Sequence, residues 1–165
     1  MAVTRTVKTR VYVSIESIET IDPGDGGAPT VKVHPFVYDK TFSSGNGSGQ
    51  FDRVYSDVAS SSTAMDFSDA ITDAGGTALS CSKLGLIAVK CKGTSTADVC
   101  RVGEDAASVP FMGAAADYAI IGADGLYLQI SPITGWTITG TTADIVDINH
   151  TTGTWDHEVL VLGRT

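Results

Sequence analysis

The chain has 165 residues, 42% of them hydrophobic and 18% charged, with 18 glycines and a formal net charge of −8. That size and balance describe a globular domain able to bury a core without disulfide help, and they exclude a disordered chain. The acidity argues against a nucleic-acid partner, because the field of the molecule repels phosphate, and no run of about 18 apolar residues marks a membrane span.

The charge is unevenly placed. Residues 1–50 carry five basic groups (Arg5, Lys8, Arg10, Lys32, Lys40) and five acidic ones (Glu16, Glu19, Asp22, Asp25, Asp39), so residues 51–165 hold the whole −8. The opening "MAVTRTVKTRVYVS" spreads charge through itself and has no apolar core of a signal peptide. In "TVKTRVYVSI" Val7, Val11, Val13 and Ile15 alternate with Lys8, Arg10 and Ser14, which predicts a half-buried strand. "IDPGDGGAP" is turn chemistry. "TVKVHPFVYDK" alternates again through Val31, Val33 and Val37, and Pro35, which cannot donate to a ladder, places this strand at an edge or bends it there. "SSGNGSGQ", residues 43–50, has the composition of a flexible linker. The chain therefore divides into an N-terminal strand pair with its linker, residues 1–50, and a body, residues 51–165.

Within the body, "STAMDF" alternates through Thr63, Met65 and Phe67, "SDAIT" is at most a short helical turn, and "KLGLIAVKC" reads as a buried central strand. "ADVCRVG" is a short strand. "YAIIGADGLYLQIS" predicts two strands joined as a tight hairpin at Asp124-Gly125. "GWTITGTTADIVDIN" predicts two more around Gly140-Thr141-Thr142, and "TWDHEVLVLG" supplies a last strand. Strands at this spacing, with glycine-rich turns and no helical period longer than two turns, predict an all-β antiparallel sandwich.

Reactive motifs are sparse. Three cysteines without CxxC spacing, Cys81, Cys91 and Cys100, read as small core thiols in a reducing compartment. His150 and His157 are seven residues apart, which on one strand puts them on opposite faces, so a metal centre is not expected. Asp66, Asp69 and Asp73 would share a helix face, but no calcium-loop pattern follows them. There is no nucleophile elbow, Walker loop or dinucleotide fingerprint. Trp136, Trp155, Tyr118 and Tyr127 offer a sugar platform if exposed and core packing if not. No catalytic, cofactor-binding or metal residue is assigned.

The stretch "FDRVYSDVASSSTAMDFSDAITDAGGTALSCSKLGLIAVKC" together with "GADGLYLQISP", "GWTITGTTADIVDI" and "VLVLG" resembles head decoration, or cement, proteins of tailed bacteriophages, over about residues 51–165. The resemblance implies a jelly-roll-like β-sandwich that binds the outside of the capsid and clamps neighbouring major capsid proteins without catalysis. It implies a virion protein made in the host cytoplasm and acting as a homo-oligomer, a trimer first and a dimer second. The first 50 residues lie outside the resemblance and become an arm that grips the capsid or a neighbouring subunit. Its basic start and first strand (Arg5, Lys8, Arg10, Val11 and Val13) are the expected partner contacts, by strand addition to a sheet edge. The alternative expectation is a spike or fibre-base module that touches host glycans.

Overall fold

A computed structural model of the chain describes residues 6–21, 30–68, 71–72, 78–113, 117–151 and 155–165. Every regular element among them is a strand, as the period-two patterns predict. The chain separates into two compact units, residues 8–42 and the remainder, residues 1–7 with 43–165.

The smaller unit is one hairpin. Strand β1 (Thr9–Ile21) runs antiparallel to β2 (Thr30–Ser44) in unbroken register, from Thr9 opposite Phe42 to Ile21 opposite Thr30. The two N-terminal strands thus pair with each other. The sequence pattern predicts a half-buried face through Val11, Val13 and Ile15; the structure buries Val11, half-buries Val13 and leaves Ile15 58% exposed. The alternation is real, but among the described residues no further layer covers Ile15.

The larger unit contains β3 (Gln50–Phe51), β4 (Arg53–Ala59), β5 (Thr63–Asp66), β6 (Lys83–Cys91), β7 (Cys100–Gly103), β8 (Tyr118–Ile121), β9 (Leu126–Ile130), β10 (Trp136–Thr137), β11 (Ile145–His150) and β12 (His157–Arg164). These strands form nested antiparallel pairs. β4 pairs with β12, β5 with β11, β6 with β9 and β10, and β7 with β8. Two sideways contacts, β12 with β6 and β11 with β7, stitch the nested ribbon into two sheets. One reads β4-β12-β6 with β9 and β10 both on the far side of β6; the other reads β5-β11-β7-β8.

The two sheets enclose one apolar core. Leu84, Ile87, Val89, Val159 and Val161 come from the first sheet, and Met65, Cys100, Val102, Val146, Ile148 and Ile121 from the second. β6 is central and almost wholly buried, as its unbroken apolar run predicts. β8 and β9 do not make the predicted hairpin. They belong to different sheets, and Gly122–Gly125 is a corner where the chain crosses the sandwich. The turn itself is tight: Gly125 N–H donates to Gly122 O at 3.0 Å, and Asp124 sits at φ 52°. A Cβ on Gly125 would meet Gly122 O at 2.7 Å, so only glycine fits there.

The "SSGNGSGQ" stretch is ordered turn rather than free linker. Gln50 N–H donates to Gly47 O, Gly49 N–H to Pro132 O, and Ser43 and Ser44 ladder in parallel with Gln50 and Phe51. The guanidinium of Arg164, itself buried, donates to four carbonyls at 3.0–3.2 Å: Gly47, Pro132, Ile133 and Thr134. One side chain from the last strand thereby locks two loops that are far apart in sequence.

Candidate interaction surface

Seven large apolar side chains stand exposed on the hairpin, at 51–64%: Tyr12, Ile15, Ile18, Val31, Val33, Phe36 and Val37. Directly opposed residues of an antiparallel pair share a face. On the first face Ile15 lies opposite Phe36, Val13 opposite Tyr38 and Val11 opposite Lys40, while the half far from Thr9 carries Glu19 opposite Lys32. The second face mixes polar and apolar pairs along its length, with Tyr12 opposite Asp39, Ser14 opposite Val37, Ile18 opposite Val33 and Thr20 opposite Val31.

Of the partner contacts expected from sequence, Arg5 lies outside the described residues. Lys8 and Arg10 are exposed at the near end, Val11 is buried and Val13 half-buried. Arg10 already has a carboxylate partner. Its Nε and Nη2 donate to Asp39 Oδ1 and Oδ2 at 2.9 and 2.7 Å, and its guanidinium lies 5.5 Å from the Tyr12 ring centroid. The bidentate bond lowers the Asp39 pKa and raises that of Arg10. Sequence reading therefore found the strand and its basic end. It missed Tyr12, Ile18, Phe36 and Val37, of which Val37 was visible only as part of an alternation.

The body carries a second, smaller apolar surface. On the outer face of the β4-β12-β6-β9 sheet, Val58, Leu160, Ala88 and Leu126 line a shallow groove of ≈ 740 Å³ bordered by Asp57, Lys90 and Glu158. Val58 and Leu126 are 55% and 66% exposed. Glu158 accepts an ion pair from Lys92 at 2.6 Å, which lowers its pKa and raises that of Lys92.

The histidine expectation needs correcting. His150 ends β11 and His157 opens β12, so they lie on strands of different sheets rather than on one strand. Their rings meet edge-on, with His150 Nε2 and His157 Nδ1 2.7 Å apart, and Trp155 stacks on His150 at 3.9 Å. His157 is fully buried, and burial lowers both imidazole pKa values. Cys91 and Cys100 sit directly across the ladders from His157 and His150. Burial pushes the Cys100 thiol up to about 12, and Cys81 likewise, which suits inert core thiols rather than nucleophiles. Among the described residues no group of three or more His, Cys, Asp or Glu is arranged to hold a metal. Asp66 accepts from the N–H and hydroxyl of Ser68 and so closes a turn; Asp69 and Asp73 lie outside the described residues.

The four rings considered as a sugar platform are dispersed. Trp155 is buried on His150, Trp136 packs edge-on against Phe111 at 6.1 Å, and the half-buried Tyr127 donates to Gln129. Only Tyr118 is exposed, 5.0 Å beneath the Arg101 guanidinium. No protein-family model, curated protein or solved structure matches the chain.

Proposed function

We propose that this chain is a structural virion protein that binds the outside of a tailed-phage capsid and cements neighbouring major capsid proteins, without catalysis. The observation that carries the reading is the division of labour between the two units. The body closes its own core, while the hairpin displays seven large apolar residues that the described chain leaves uncovered. Large exposed apolar surface on a folded protein marks an interaction site.

Two further observations support it. The nested pairs β4·β12, β5·β11, β6·β9 and β7·β8 are what one long antiparallel ribbon gives when rolled into two sheets, and this nesting supports the jelly-roll-like reading of the sandwich. The phrases of residues 51–165 that resemble head decoration proteins fall on these strands and corners. In this reading the capsid surface is the working location, the protein is made in the host cytoplasm, and each copy adds modest interface that symmetric repetition turns into avidity.

The test is cosedimentation of the purified protein with expanded and unexpanded capsids of the phage that encodes it. The intact chain is expected to pellet with expanded shells. A variant lacking residues 1–42 is expected to remain folded, because the core cluster lies wholly within residues 65–161, and to lose the shells. Failure of the intact chain to bind either shell overturns the proposal.

A further inference from the structure

We infer that the free edge of β1 pairs antiparallel with β1 of a second copy about a two-fold axis, joining two hairpins into a four-stranded sheet in the order β2-β1-β1′-β2′. This deepens the cement reading by naming the arm's partner as another copy of the chain. It rests on that reading only for what the bridge is for, tying together two capsid-bound copies.

Three features select this partner and this edge. The first is that the hairpin is incomplete alone. Among the described residues β1 has one neighbour, β2. A solitary two-stranded ribbon is marginal in water, and three or more strands with an apolar face are needed for independent stability. β1 offers thirteen residues, about 43 Å at roughly 3.3 Å each.

The second feature is an asymmetry between the two edges. β2 holds Pro35, which has no N–H to give, and two lysines, Lys32 and Lys40. Proline and lysine are the devices that keep an edge from recruiting another strand. β1, TRVYVSIESIETI, has neither proline, glycine nor lysine, and seven of its thirteen residues are β-branched. One edge is guarded and the other is built to pair.

The third is charge polarity along the hairpin. Its near end carries Lys8, Arg10 and Lys40 against Asp39, a basic excess. Its far end carries Glu16 and Glu19 against Lys32, and the sequence between the strands adds Asp22 and Asp25. Antiparallel apposition sets the basic end of one copy beside the acidic end of the other, twice; parallel apposition sets like against like. The surface is thus complementary to itself in one orientation, the requirement for an isologous two-fold contact. An antiparallel edge pair also consumes the edge it uses, so the contact closes at two copies.

The experiment uses the full chain in the absence of capsids. Sedimentation velocity between about 1 and 100 µM is expected to show a dimer that weakens at high salt, since its charge complementarity is screened. Ile15→Cys, at the middle of β1 and 58% exposed, faces itself across the two-fold axis and is expected to give a disulfide-linked dimer on treatment with oxidised glutathione; Phe36→Cys, its exposed partner on β2, is expected not to. Glu16→Lys with Glu19→Lys is expected to weaken the dimer at least tenfold without moving the thermal unfolding of the body. A monomer at 100 µM overturns the inference. So does an oligomer that Ile15→Cys fails to cross-link, or one whose affinity the lysine variant leaves unchanged. A dimer that behaves as expected yet ignores capsids upholds the pairing and removes the cement reading alone.

Discussion

Phe36 and Phe67 carry the same side chain on strands or strand ends written in the same alternating pattern, and they meet opposite fates. Phe67 is fully buried where its ring meets Tyr55 edge-on at 5.9 Å, while Phe36 on the hairpin is 59% exposed. In the body, period-two apolarity is answered by a second sheet of the same chain. In the hairpin nothing within residues 8–42 answers it. The pattern states that a face is to be covered and leaves open what covers it.

Truncation at both positions is the sharpest test of that contrast. Phe67→Ala is expected to destabilise the body by about 3–5 kcal/mol through lost burial and a residual cavity, read as a large fall in the denaturant midpoint. A fall of under about 1 kcal/mol, within the range of ordinary surface changes, would break the comparison from the body's side. Next in size is Arg164→Met. It removes the charge-assisted hydrogen bonds to Gly47, Pro132, Ile133 and Thr134, whose oxygens keep only their other donors, and is expected to cost about 2 kcal/mol. A midpoint equal to that of the unmodified chain would mean that the two loops hold without it.

Acid–base behaviour separates the units further. Burial, aided by the negative field of Asp105 and opposed by the hydrogen bond from the Asn149 amide, raises the Asp147 carboxyl from 3.8 to about 6. Between those values the folded state holds the proton more tightly than the unfolded one. This group therefore makes the body less stable as pH rises from 4 to 6, with the full deficit present at pH 7. Asp147→Asn is expected to raise the thermal midpoint at pH 7 and to leave it unchanged at pH 4; an equal shift at both pH values would contradict the assignment. The histidine pair works in the other direction. Both pKa values are lowered from 6.5 in the fold, so their contribution is present above pH 6.5 and is lost as pH falls through the folded values. In the Asp147→Asn background the midpoint is expected to drop between pH 7 and pH 5, and a flat profile there would refute the coupling. The smallest effect belongs to the hairpin: Phe36→Ala is expected to change the stability of the body by less than about 0.5 kcal/mol, the usual range for exposed positions.

The all-β class and the central position of β6 were legible in the sequence. Each depends on local pattern: an alternation, an unbroken apolar run. The Pro35 strand, expected at an edge or bent there, lies between β1 and β3, which pairs with it only at Ser43 and Ser44. The hairpin expected at Asp124-Gly125 does not form, because a tight turn fixes the reversal of the chain but not whether the two flanks pair or part into different sheets. The meeting of His150 with His157 depends on a junction between β11 and β12 that residue spacing does not encode. The ordering of residues 43–50 depends on Arg164, more than a hundred positions away, so composition alone read a linker there. Of the candidate surface, the basic near end and the Val11–Val13 strand were visible, whereas the exposure of Phe36 and Ile18 follows from the absence of a covering layer among the described residues.

The nesting of the body strands has a kinetic consequence. Arg53 of β4 finds its place opposite Gly163 of β12, and β12 also forms the centre of that sheet. The sandwich cannot close until nearly the whole chain is present, and such distant pairings fold in milliseconds to seconds. A hairpin of neighbouring strands forms in about 1–10 µs. The hairpin therefore opens and closes many times while the body is still searching, so two refolding phases are expected, the fast one abolished by deleting residues 8–42. The segment with the recruiting edge takes shape before the body does.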